Sequence, residues 1–130
     1  MIETSANIRK ALRSIWPHAV FLRTPDERYY VPSITEMDAA IADFPIWDAP
    51  KWADCNWYAL QAYAWVQNKK LDNDAPWSFG IADGNKFHKF PSQHTLNIAY
   101  CREYVYLIDV QNKKSWKGSE TDDYILTVSM

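Results

Sequence analysis

Trp52-Ala53-Asp54-Cys55-Asn56-Trp57-Tyr58-Ala59-Leu60 is the stretch on which the reading of this chain turns. Cys55 stands where a helix should begin, behind an Asp54 suited to cap it. The residues that follow, Trp57, Ala59, Leu60, Ala62, Tyr63, Ala64, Trp65 and Val66, are apolar at nearly every position. This predicts a helix running to about Asn68 and buried on all sides. A thiol at such a helix start meets unpaired N–H groups and the positive end of the helix dipole, both of which favour thiolate over thiol. The Asp54 carboxylate works against this, and less so when it is engaged as the N-cap.

Upstream, Ile8, Leu12, Ile15 and Trp16 mark one face of a helix over about 5–16, closed by Pro17. Residues 19–23 and 28–31 read as short extended segments around a Thr24-Pro25-Asp26 turn. Ser33 and Glu36 form a capping box that opens a second helix through Met37, Ala40, Ile41 and Phe44, with Pro45 as its stop. Downstream of a polar loop over 68–74, residues 77–82, 94–101, 105–111 and 124–128 are four strand candidates, rich in aromatic and β-branched side chains. Asp83-Gly84-Asn85 reads as a turn, followed by a loop with His88 and Pro91, and residues 102–104 as a hairpin connection. Helices first and antiparallel strands afterwards predict an α+β fold. The expectation is a single domain over 1–130, with a helical lobe to about 70 and a sheet lobe from about 75. Its central helix would pack on the sheet.

The 130 residues carry seven Trp, eight Tyr and five Phe, enough apolar bulk for a packed core rather than a disordered chain. A net charge of −2 with interspersed signs leaves no basic face for nucleic acid. Runs such as Lys113-Lys114 and Asp122-Asp123 read as solvated surface. Two cysteines are too few for a disulfide scaffold, and the Cys and His residues are not spaced for structural zinc. No stretch has the length of a membrane span, and no signal-peptide core is present at the N-terminus. The expectation is a cytoplasmic protein without membrane contact, with release on lysis or virion association as routes out.

The hairpin gives Cys55 its partners. With a period of two, His94, Leu96, Ile98 and Tyr100 share one face, as do Val105, Leu107, Asp109 and Gln111. A turn centred near 102–103 sets position 94 opposite about 111, with 109 diagonally across. His94 then stands beside Asp109 and Gln111, above a strip of Leu96, Ile98, Val105 and Leu107 on which the central helix would lie. Cysteine is a nucleophile, imidazole takes its proton, and a third polar group fixes the imidazole. Asp109 would do so most strongly, and Gln111 is the neutral alternative. Cys101 falls on the opposite strand face and reads as structural, while His18 and His88 read as surface residues. Trp47, Trp52 and Trp57 could line a cleft beside Cys55 or form a recognition surface.

The order Cys, His, acid or amide, with cysteine opening a central helix, resembles the papain-like cysteine peptidases. Within them the chain is most similar to the C-terminal protease domain of Marasmius oreades agglutinin and its phage and bacterial relatives. The matching pieces are Tyr30-Val-Pro-Ser-Ile-Thr-Glu36, Asp54-Cys55, His94-Thr-Leu-Asn97 and Leu107-Ile-Asp-Val-Gln111. The resemblance implies a cysteine hydrolase that forms a thioester on a peptide or amide substrate. Its nucleophile would be Cys55, its base His94 and its third member Asp109, with Gln111 close by and Tyr30, Trp52, Asn56 and Trp57 along the cleft. It implies no required cofactor and no metal ligands. Relatives hold calcium through acids after the nucleophile, where this chain has Asn56 and Trp57. The rivals are a cell-wall endopeptidase of the NlpC/P60 kind and a non-catalytic phage or bacterial binding module on the same fold.

Overall fold

The computed structural model describes residues 1–23, 26–46, 49–68, 75–87, 93–120 and 123–130. Thr24, Pro25, Trp47, residues 69–74, His88, Pro91 and Asp122 fall outside the described residues, and with them the expected turn at 24–25 and most of the loop over 68–74. The elements in order are β1 (Ile2–Thr4), α1 (Ser5–Ile15), β2 (Val20–Arg23), β3 (Arg28–Tyr30), α2 (Ile34–Ile41) and α3 (Cys55–Gln67). They are followed by β4 (Phe79–Lys86), β5 (His94–Tyr100), β6 (Val105–Asp109), β7 (Lys114–Lys117), a 3-10 turn (Gly118–Glu120) and β8 (Tyr124–Ser129).

Each helix starts on a side chain that accepts one of its free N–H groups. Thr4 accepts from the Asn7 N–H, and Asp54 from the Trp57 N–H. Ser33 and Glu36 complete the reciprocal capping box read from the sequence. The strands form a sheet ordered β2-β8-β4-β5-β6-β7, and a separate antiparallel pair of β1 and β3. All neighbours in the large sheet are antiparallel except β2 and β8, which run parallel.

Alternation along the strands builds one core on each sheet face. Ile8, Leu12 and Trp16 of the α1 region cluster with Ala82, Leu96, Ile98, Val105, Leu107, Ile125 and Val128. On the other face Met37 and Ala40 of α2 and Ala62 and Val66 of α3 join Phe79, Ala99, Tyr106 and Ile108. Cys101 lies in this second core, where burial pushes its thiol up to about 12.

Several expectations are corrected here. The α+β arrangement of a helical part packed on a C-terminal antiparallel sheet gives way to a mostly β chain with three short helices and a mixed sheet. β2, from the helix-rich end, completes the main sheet against β8. The residues expected to turn, Asp83-Gly84-Asn85, continue β4, with a register shift against β8 at this point. Gly84 serves there as a residue without a Cβ, which would collide with the Phe87 ring and the Tyr124 carbonyl. α3 is not buried all round, since it buries Ala59, Ala62 and Val66 and leaves Leu60 exposed. The strip of Leu96, Ile98, Val105 and Leu107 packs with α1, while α3 takes the opposite face. Asp123 is no surface charge either: it is buried and accepts from the Trp116 indole N–H at 2.8 Å.

Candidate functional site

Two side chains fix where α3 begins. Asn97 is fully buried, and its two amide protons go to the carbonyls of Ala59 on α3 and Gly80 on β4, each at 3.0 Å. Two residues back along β5, on the same face, Thr95 is in hydrogen-bond contact with the Asn56 amide oxygen at 2.7 Å and with the Asp83 carboxylate. The first turn of α3 is thereby pinned against β4 and β5, and Cys55 is its first residue.

Cys55 and Asn56 form one wall of a cleft of about 520 Å³ at the end of the sheet. Asp83 of β4, Gln93, His94 and Thr95 at the start of β5, and Leu126 and Thr127 of β8 complete it. Cys55 is partly exposed there, whereas Cys101 is buried, and both are free thiols. Among the described residues no group of three His, Cys, Asp or Glu could hold a metal ion.

His94 is held as the hairpin register predicts. The β5–β6 ladder pairs Tyr100 with Val105 and Asn97 with Ile108, which carries 94 opposite 111 and 109 diagonally across. Nε2 of His94 lies 3.0 Å from Oδ2 of Asp109. Burial would raise the Asp109 pKa, but hydrogen bonds from His94 and Asn112 outweigh it and hold the carboxyl below its ordinary value. An ionised carboxylate accepts, so Nε2 of His94 is the donor of this hydrogen bond. Gln111 is exposed in the turn after β6, and no hydrogen bond ties it to His94.

The other candidates disperse. Tyr30 donates to Glu36 at 2.6 Å and accepts from Arg102 at 2.8 Å, a cluster that joins β3 to α2 and to the β5–β6 turn. Trp52 is 72% exposed, outside the cleft lining. Trp57 faces a different depression with Phe44 and Trp65. Asn56 alone of this group lines the cleft. Asp83, Thr95 and Thr127 were missed, because a polar row across three strands has no signature in any one of them.

A mixed six-stranded sheet with a cysteine–histidine–carboxylate set at one end is the class that fold and site define. No family model matches the chain, and no curated protein matches it. Two solved structures share its fold. One, described as a PSL1a–E64 complex, is 17% identical with a TM-score of 0.79, the match covering 99% of this chain and 51% of that one. The other is Polyporus squamosus lectin bound to the human-type influenza-binding epitope Neu5Acα2-6Galβ1-4GlcNAc, also 17% identical, with a TM-score of 0.76 and coverage of 99% and 49%. The chain thus spans about half the length of these structures.

These likenesses correct the family expectation. Neither of these structures is named for a papain-like cysteine peptidase and one is named for a lectin, so that identification is replaced by a likeness in fold to about half of each chain. The expected cysteine hydrolase, its peptide or amide substrate, and the cell-wall endopeptidase and phage-module alternatives fall with it. The short motifs misled because a Cys-His-Asp order describes a geometry, and the same fold can serve other functions. No helix among the described residues is long and apolar enough to cross a membrane.

Proposed function

We propose that the chain is a ligand-binding domain whose site is the cleft at the start of α3. Cys55 takes the ligand there, and His94, oriented by Asp109, takes up its thiol proton. The observation that carries this reading is that Cys55 and His94 line one cleft while a buried carboxylate holds the imidazole from behind. The neighbour described as complexed with E64 supports a small-molecule ligand on this fold. Cys101 is a poor candidate for such a ligand, being buried with its thiol pushed up to about 12. In the proposed step the Cys55 thiol gives its proton to His94 and its sulfur attacks an epoxide carbon. A C–S bond forms, the C–O bond breaks, and the alkoxide takes the proton back. The product is a bound ligand, and the function proposed is capture rather than turnover.

The test is intact-mass analysis after incubation with E64. One adduct that maps to Cys55, is absent in Cys55→Ala and forms more slowly in His94→Ala, is expected. An unlabelled Cys55 in the folded protein overturns the reading.

Sugar binding is a second reading, motivated by the glycan bound to the second neighbour and by the hydroxyl, amide and carboxylate lining of the cleft. Because the match covers 49% of that lectin chain, it needs its own measurement on this chain. Calorimetric titration with the same trisaccharide supports it if binding is seen, and absence of heat and of any thermal shift removes it.

A further inference from the structure

Asp83, Thr95 and Thr127 are partners across three adjacent strands: Asp83 pairs with Thr95 on β5 and with Thr127 on β8. Both hydroxyls donate to the carboxylate, Thr95 to Oδ1 and Thr127 to Oδ2 at 3.2 Å. Hydroxyl donors satisfy a carboxylate without cancelling its charge.

Thr95 has one proton and two oxygen neighbours, Asp83 Oδ1 and Asn56 Oδ1. A carboxylate is the stronger acceptor, so the proton belongs to Asp83. Two oxygens without a proton between them repel, so the Asn56 amide is better satisfied with its NH₂ toward Thr95, and the network decides that orientation. Its carbonyl oxygen then turns toward the cleft. Asp54, next to Cys55, adds a second carboxylate at the helix start. His94 is paired with the Asp109 carboxylate, and among the described residues that line the cleft none is Lys or Arg.

Resting on the cleft proposed above, the geometry points to selectivity: the Cys55 cleft takes cationic, hydrogen-bond-donating ligands in preference to anionic ones, and Asp83 is the residue that determines it. Asp83 supplies the charge directly and, through Thr95, sets which end of the Asn56 amide the ligand meets.

The test compares Cys55 modification by two methanethiosulfonates, one carrying a trimethylammonium group and one a sulfonate. In the wild type at low salt the ratio of cationic to anionic rate, each rate divided by that reagent's rate with a small free thiol, should be at least about threefold. Added salt should shrink that ratio, since the charge acts partly through solvent. Asp83→Asn should bring it close to one, whereas a general loosening of the cleft would change both rates alike. The salt series on the wild type decides the matter even where Asp83→Asn folds poorly. A normalised ratio of one at low salt overturns the selectivity, and an Asp83→Asn ratio unchanged from wild type overturns Asp83 as the residue that determines it. Failure of both reagents on folded protein overturns the cleft reading, and this inference with it.

Discussion

The Nε2–H of His94 donates to Oδ2 of Asp109 at 3.0 Å, joining two residues 15 positions apart on adjacent strands. Asn112 closes the far side, giving its side-chain N–H to the same oxygen at 2.9 Å. The carboxylate is thus an anchor for the imidazole and for the turn after β6 together. Asp109→Ala leaves the half-buried His94 donor and the exposed Asn112 donor without their acceptor and should cost about 1–2 kcal/mol. Urea unfolding measures it, and Asp109→Asn should lose less.

The same pair sets an acid limit. The folded-state pKa of Asp109 lies below its ordinary value, so the unfolded chain binds a proton more readily than the folded one. The stability that follows is present above the unfolded value of about 4 and is lost as pH falls through the folded value. Urea midpoints against pH should show wild type and Asp109→Asn converging in acid and separating toward neutrality. A constant separation would mean that the carboxylate's charge contributes nothing.

Thiol accessibility separates the two cysteines. Cys101 lies in the core shared by α2, α3 and the sheet, with its pKa raised to about 12 by burial first and then by Glu103, Asp38 and Glu36. Native protein should titrate one thiol with a disulfide reagent at neutral pH, and denatured protein two. Cys55→Ala should remove the fast one.

Asn97 ties α3 to the sheet through two carbonyls, and its Oδ1 has no hydrogen-bond partner. Asn97→Asp replaces the double donor by an anion that faces two carbonyl oxygens, and Asn97→Leu leaves those carbonyls bare. Both should destabilise by about 2–4 kcal/mol, the aspartate more at neutral pH than in acid. Chemical denaturation at two pH values distinguishes them. Two equally mild variants would show that α3 is seated by apolar packing alone.

Much of this was legible because short-range rules govern it. Ser33 and Glu36 announced α2, Asp54 announced α3, and the period of two with a turn at 102–104 placed His94 diagonal to Asp109. What escaped lies in long-range choices. β5 is buried on both faces, so alternation could not say whether α1 or α3 would take Leu96 and Ile98. Asp83-Gly84-Asn85 carries turn chemistry yet extends a strand, because Gly84 is needed where backbone and the Phe87 ring crowd in. β1 has three residues and β7 is largely charged or polar, so neither gives a strand pattern. The family was misread because three residue types in order do not name a lineage. The role of Cys55 now rests on its reactivity.

The parallel pairing of β2 with β8 has a consequence for how the chain is made. β2 is made well before β8, its neighbour in the large sheet among the described residues, which lies about a hundred positions further along. The hairpin of β5 and β6 can close on its own, since its contacts are local. β2 cannot pair until β8 has been made, so the earlier segment waits for a partner that is distant along the chain. Formation of β8 is therefore the event that completes this edge of the sheet, and removal of Tyr124–Ser129 should unseat a strand about a hundred positions upstream.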